Sequence, residues 1–465
     1  MSTRLLTRFA AFVLRLEWLI LAVMLAAFWL PDFNRVWMLS LALPILAARL
    51  VCYRRLWSHT PLDYCFIALI ALFIINYFAA PFRQGNVTLV SLLGETSLPY
   101  NLIVIGRPLF GIFLATTFID RAARKNNLRS LLWLTAVLAL LVGILGLFAQ
   151  HYINKSAAFM FIIDYLPQLR GFPGAEGGFN VNEIAGAMAW FTPIMAGVAL
   201  LAWREWSQTR RRSHLMFALC SSAAFIVLWA ALFLGQSRFA ILGVLPMLAL
   251  LAWLLIPRKR WRLVALSIVA CFAVIQVLIF TGSLIPKDET LQQRDEDSVS
   301  SRLLIWSSAL SIARDYPLTG VGMNNFRWRP VRDLYPVDGY EGTRILPHAH
   351  NEWLQITADL GIFGLAALIA LQATALALLL SVWRQGDWWL RGLALATTCG
   401  IIAHLIYGLG DAVAFWDRFG FGFWWLIGLA GVQYVVLRQK QDQPAAHEGK
   451  RESTGVSQRI TIPLS

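Results

Sequence analysis

Long apolar blocks alternate with polar ones along this chain, at a scale far above the short periods of a soluble helix or strand. About twelve apolar runs of roughly 17 to 25 residues each have the length to cross a bilayer as helices. They centre near 17–30, 36–52, 64–80, 101–118, 130–149, 183–203, 215–234, 239–256, 263–285, 353–382, 392–410 and 420–437. The pattern predicts an all-α, multi-pass transmembrane protein. Nine spans fall in residues 1–285, a long polar loop with short helices in 286–352, three spans in 353–437, and a disordered polar tail in 438–465. Inside the loop, Leu303, Leu304, Ser307, Leu310 and Ile312 recur at helical spacing, Ser298 and Ser300 offer N-cap oxygens, and Tyr316-Pro317 ends the turn. This predicts an amphipathic surface helix of about four turns, with Arg302 in its first.

Composition agrees with that class. Of 465 residues, 58% are hydrophobic and 14% charged, and the mean hydropathy is +0.61, too apolar for a soluble chain of this length. The formal charge of +14 would suit nucleic acid if its basic residues formed one face, but they alternate by connection. Arg4, Arg8 and Arg15 precede the first span, and basic groups follow every even-numbered one: Arg54 and Arg55; Arg121, Arg124, Lys125 and Arg129; Arg204 and Arg210 to Arg212; Arg258 to Arg262; Arg384 and Arg391; Arg438 and Lys440. By the positive-inside rule both termini are cytoplasmic. The two long connections, near 150–182 and 286–352, then lie outside, so function faces outward. The basic start resembles a signal peptide, yet the run meets Pro31-Asp32-Phe33 with no convincing small-residue cleavage site and reads as an uncleaved span. Cys52, Cys65, Cys220, Cys271 and Cys399 lie in or at the ends of spans, which indicates neither a disulfide framework nor a thiolate metal site. No Walker or Rossmann glycine pattern points to a cofactor.

The densest candidate chemistry is His348-Ala349-His350-Asn351-Glu352-Trp353, where the long loop meets the tenth span. An imidazole with an ordinary pKa near 6.5 suits a general base. Arg238 opens the eighth span after Gly235-Gln236-Ser237. Asn351 and Asn182 are candidate N-caps for the tenth and sixth spans, and Gly171, Gly174, Gly177 and Gly178 leave backbone N–H groups to offer. Helix N-termini and two guanidinium forks outside the membrane suit phosphate or pyrophosphate. Arg107 lies inside the fourth span beside Pro108; it either snorkels to the interface or contacts a glycan or carrier phosphate. His404 and Asp411 read as polar contacts between helices. Asp295 and Asp297 form a weak metal-type pair that reads more simply as solvated, so no metal is expected.

Four blocks carry a family resemblance in order along roughly 170–370: Gly178-Phe179-Asn180-Val181-Asn182-Glu183; Gly235-Gln236-Ser237-Arg238; Arg302 through Trp306 to Pro317-Leu318-Thr319-Gly320-Val321-Gly322-Met323-Asn324-Asn325-Phe326; and His348-Ala349-His350-Asn351 through Gly361-Ile362-Phe363-Gly364. Together they resemble the O-antigen ligase and O-antigen polymerase superfamily. The resemblance implies a metal-independent glycosyltransferase of GT-C-like architecture in the bacterial inner membrane. Such an enzyme moves a glycan from an undecaprenyl pyrophosphate carrier to a hydroxyl of lipid A core or of a growing polysaccharide, outside the cytoplasm. It implies His350 as catalytic residue and Arg238 and Arg302 as pyrophosphate ligands, and leaves ligase and polymerase undivided. His348 stays the alternative base. A polysaccharide or lipid transporter is the reading from another class, but no half-to-half symmetry is visible, and the polar features gather in one loop.

Overall fold

The computed structural model describes residues 3–29, 33–91, 94–125, 128–152, 159–281, 289–337, 346–415 and 417–454. It is helical nearly throughout, in the order α1 (Thr3–Arg15), α2 (Glu17–Trp29), a 3₁₀ segment (Phe33–Leu41), α3 (Ala42–Tyr53), α4 (Leu62–Ala79), α5 (Tyr100–Val104), α6 (Gly106–Lys125), α7 (Leu128–Phe148), α8 (Met160–Ile163), α9 (Val181–Thr209), α10 (Arg212–Gly235), α11 (Arg238–Leu255), α12 (Lys259–Phe280), α13 (Glu289–Asp315), α14 (Arg329–Leu334), α15 (Glu352–Gln385), α16 (Trp388–Tyr407) and α17 (Phe421–Thr454). Four short strands join them: β1 (Asn86–Ser91) pairs antiparallel with β2 (Gly94–Pro99), and β3 (Gln150–His151) parallel with β4 (Phe179–Asn180). Among the described residues ten helices are long and apolar enough to cross a membrane, and α1 with α2, bent by 50°, makes an eleventh candidate. The remaining predicted span coincides with α6, which carries Arg107, Asp120, Arg121, Arg124 and Lys125 and is too polar to qualify alone. It nevertheless runs beside α17 over its whole length: Gly111 lies against Trp424, Gly428 against Ala115, and Gln439 Nε2 donates to the Ala123 carbonyl at 2.6 Å.

The centre of the bundle is α9, whose small residues let neighbouring backbones close in, as helices packed in lipid require. Gly197 faces Ala396 of α16, and Gly186 faces Tyr407 and Val413. Contacts sort the helix termini into two ends. At one, Arg129 pairs with Glu205, Trp389 Nε1 donates to Glu205, and Lys440 pairs with Asp387. Here too the buried Glu17 carboxylate takes Arg49 at 2.6 Å and Arg121 and Arg124 at 3.0 Å, while Arg124 also meets Asp120 at 2.8 Å. Buried carboxylates of this kind persist because each is paired. The opposite end carries the starts of α9, α11 and α15 and the segment after α16.

The long loop docks onto a break in α15. Gly361 has φ 69° and ψ −168°, a conformation open essentially to glycine, and a Cβ there would lie 2.4 Å from the Leu318 backbone. Loop and break exchange backbone bonds: Ile362 N–H to Pro317, Val321 N–H to Ala358 and Gly322 N–H to Asp359. The buried Asp359 carboxylate then accepts the N–H groups of Asn324 (3.0 Å) and Phe326 (2.9 Å), and Asn76 of α4 donates to the Thr319 carbonyl and accepts from Met323 N–H. This accounts for the Gly-x-Gly-x-Asn-Asn-Phe stretch as a loop folded over one carboxylate.

Two expectations for the loop change. Helix α13 begins at Glu289, so Ser298 and Ser300 are interior rather than N-caps, and Arg302 sits more than three turns inside rather than in the first turn. Its buried stripe is Ile305, Ser308, Ala309 and Ile312, whereas Leu303, Leu304 and Leu310 are exposed, because short side chains fill the seam against α15. The Asp295 and Asp297 side chains and residue 287 lie outside the described residues, as do 455–465 of the tail. Helix α17 continues past Leu437 to Thr454.

Candidate active site

Two segments clasp each other to build the site. Asn351 caps α15 as expected: its Oδ1 accepts the Leu354 N–H at 3.0 Å, and its Nδ2 donates to the Leu409 carbonyl at 3.2 Å. Glu352 donates its N–H to the Gly408 carbonyl, and its buried Oε2 accepts the N–H groups of Val413 (3.0 Å) and Ala414 (3.3 Å). These bonds place Asp411 under both histidines. Its Oδ1 lies 3.3 Å from His348 Nε2 and 3.5 Å from His350 Nδ1, and the two rings are 4.3 Å apart, edge to face.

The backbone distinguishes the two imidazoles. His350 adopts φ 48°, uncommon for a residue with a Cβ, and in that conformation its N–H donates to His348 Nδ1 at 3.2 Å. His348 Nδ1 is therefore an acceptor, its ring proton resides on Nε2, and that N–H points at Asp411. Burial pushes His348 down to about 4, so it is neutral near pH 7 with both nitrogens committed. Burial opposes the Asp411 charge, but the two imidazoles and the Ala412 N–H outweigh it and hold the carboxyl below its ordinary range. The partly exposed His350 brings Nδ1 to 3.5 Å from Asp411 Oδ1, near the carboxylate but without hydrogen-bond geometry. One ligand atom each from His348, His350 and Asp411 lies within 4.8 Å of the others, close enough for a divalent ion. The ring chemistry fits hydrogen bonding better, since His348 would have to move its proton onto the nitrogen that accepts the His350 amide.

Arg302 reaches this end with its guanidinium 5.6 Å from the Phe239 ring, and its charge acts on His348. Phe239 packs on Gly410, next to Asp411, and follows Arg238, the first residue of α11. Arg238 stands 5.4 Å over the Phe280 ring. Arg302, Arg238 and the histidines thus come to one end of the bundle.

Other candidates are placed differently. Asn182 is not the cap of α9: Asn180 is, its Oδ1 accepting the Asn182 N–H at 2.9 Å, because the helix begins at Val181. The glycine loop offers few free donors, since Gly171 N–H is taken by the Glu176 carbonyl, Gly174 N–H by the Glu176 carboxylate and Gly178 N–H by Ala175. Arg107 donates to the Phe28 carbonyl at 3.2 Å and lines a small pocket with Trp29, Phe415, Asp417 and Arg418, a pocket whose lining includes neither histidine. His404 is buried among Trp190, Tyr407 and Phe423 as a packing group. Sequence reasoning undervalued Asp411; an acid in the next polar connection after a histidine pair was the available signal.

Residues 223–369 match the family described as O-antigen ligase. Over 77 residues the chain is 36% identical to a protein of Rickettsia bellii (strain RML369-C) named "Putative polysaccharide ligase". That alignment covers 16% of this chain and 19% of the relative. Arg238, Arg302, His348, His350 and Asn351 all fall within the matched segment, whereas Arg107, Asn182 and Asp411 lie outside it. Residues 223–369 are thus similar to the O-antigen ligase family, over less than a third of the chain.

Proposed function

We propose that this protein is a membrane glycosyltransferase that moves a glycan from an undecaprenyl pyrophosphate carrier to an acceptor hydroxyl on the extracytoplasmic side. The observation that carries this reading is the His350–Asp411 pair with Arg302 and Arg238 at the same end of the bundle. The Asp411 carboxylate 3.5 Å from Nδ1 favours the imidazolium that forms as Nε2 takes the proton of the acceptor hydroxyl and its oxygen bonds to the sugar C1. The C1–O bond to phosphate breaks with its electron pair, and the departing pyrophosphate carries the charge that the two guanidinium forks stabilise. Because the residues supply both proton acceptor and anion clamp, no metal is required.

The test is donor binding and single-turnover transfer with purified protein. His350→Ala should keep donor binding and lose turnover by a factor on the order of 10² to 10⁴. Arg238→Ala and Arg302→Ala should lose both, Lys should restore only part, and wild-type transfer should survive excess EDTA. Normal turnover by folded His350→Ala would overturn the assignment of the base. Product length, and a requirement for lipid A core, separate a ligase from a polymerase.

A further inference from the structure

We propose that the cavity between α7, α9, α16 and α17, at the end of the bundle opposite the histidines, binds the phosphate headgroup of an anionic phospholipid. The inference goes beyond the transferase reading and does not depend on it.

The cavity encloses about 270 Å³, far more than a single ordered water fills. Two cations, Arg129 and Lys440, line it together with Leu132, Leu390 and Val436, and Trp389 stands in its wall. Ion pairs between helix ends ordinarily close against each other, whereas these enclose a space that is cationic on one side and apolar on another. A phospholipid has that same division, an anion joined to hydrocarbon. The four helices are each long and apolar enough to cross a membrane, and tryptophans such as Trp388 and Trp389 gather where a bilayer meets water. Basic pockets between spanning helices at that level suit anionic headgroups.

The lining holds one acid, Glu205, and it is engaged. Its Oε2 accepts Arg129 Nη1 at 2.9 Å and Trp389 Nε1 at 3.3 Å, and His214 Nε2 lies 3.6 Å from Oε1. These contacts hold Arg129 without exhausting it. Its guanidinium rests 4.0 Å from the Phe217 ring, and its buried Nη2 has no hydrogen-bond partner among the described residues, an unfavourable state that an acceptor oxygen relieves. Lys440 gives one of its three N–H donors to Asp387 at 2.6 Å and stays 46% exposed. At the rim, Arg204 lies 4.6 Å over Trp388 and Arg391 Nε donates to the Gly386 carbonyl. Arg129, Lys440, Arg204 and Arg391 therefore stand against only Glu205 and Asp387. The helix dipoles add to this excess: the first turns of α7 and α16 line the cavity, whereas α9 contributes a residue a full turn before its end.

The experiment titrates the purified full chain in neutral detergent with a fluorescent phosphatidylglycerol. The competitors are unlabelled phosphatidylglycerol, phosphatidylcholine with the same acyl chains, and glycerol 3-phosphate. Phosphatidylglycerol should displace the fluorescent lipid, and the other two should do so far less, one lacking the net charge and the other the chains. Lys440→Gln should weaken phosphatidylglycerol about 5-fold, the worth of one basic residue at an anionic headgroup. Arg260→Gln, a basic residue of α12 at the same end but outside the cavity, should leave it unchanged. Arg129→Gln should weaken binding at least as much as Lys440→Gln, with the thermal midpoint checking that loss of the Glu205 partner has not unfolded the chain; if it has, the exposed Lys440 position decides alone. Equal displacement by phosphatidylcholine or by glycerol 3-phosphate, unchanged affinity in Lys440→Gln, or the same loss in Arg260→Gln would overturn the site.

Discussion

In the proposed mechanism His348 is not the base, because one nitrogen accepts the His350 amide and the other lies 3.3 Å from the Asp411 carboxylate. Its contribution is to hold His350 in the left-handed backbone conformation and to keep Asp411 ionised between the two rings. That role has a pH signature. In the unfolded chain a histidine titrates near 6.5, whereas in the fold His348 titrates near 4. Between those values the unfolded state binds the additional proton, so stability falls as pH falls from about 6.5 towards 4 and is level above that window. The expected loss is up to about 3 kcal/mol. His348→Gln should remove this slope whatever its effect at neutral pH, and thermal midpoints of both proteins in detergent from pH 4 to 7.5 would measure it. Parallel profiles would show that His348 is not a buried neutral group.

Among the elements, the junction of α15 with the 317–326 loop sets the floor on which the histidine segment stands, since Gln355 bonds both Ala349 N–H and Asp359. Gly361→Ala forces a Cβ into the Leu318 backbone and a side chain into a conformation only glycine adopts readily, so it should cost several kcal/mol and take activity with it. Gly85→Ala, with nothing within 4 Å, should stay within about 0.5 kcal/mol. Equal midpoints for the two variants would disprove the docking described. The same junction shows what a sequence can reveal. Most spans were legible because a bilayer demands a continuous apolar run, and His350, Asn351 and Arg238 because a helix terminus marks itself locally. The start of α13 was not, since its buried seam uses Ala309 and Ser308 instead of the conspicuous leucines. Nor were the partners that make the site: Asp359 holding Asn324 and Phe326, and Asp411 beneath the histidines, are meetings of distant segments that only the packed bundle produces.

For the whole molecule, the question is which way the two ends face. Basic residues at the facing ends of α7, α9 and α16 and within α17 gather at one end, through Arg129 with Glu205, Arg204 over Trp388, and Lys440 with Asp387. Arg121 and Arg124, counted as free charges in the loop pattern, are instead neutralised by Glu17 and Asp120. Removing them still leaves Arg54, Lys125, Arg204, Arg210 to Arg212, Arg258 to Arg262, Arg384, Arg391 and Arg438 in the connections that follow even-numbered spans. By the positive-inside rule we propose that end as the cytoplasmic one, with Arg238, Arg302, His350 and Asp411 outside. Reporters fused after Arg212 and Arg262 should behave as cytoplasmic, and one fused after Lys287 as extracytoplasmic. A cytoplasmic signal at Lys287, with Arg212 and Arg262 reversed, would put the histidine pair on the side where no lipid-linked glycan awaits transfer in the proposed reaction, and the mechanism would fall with it.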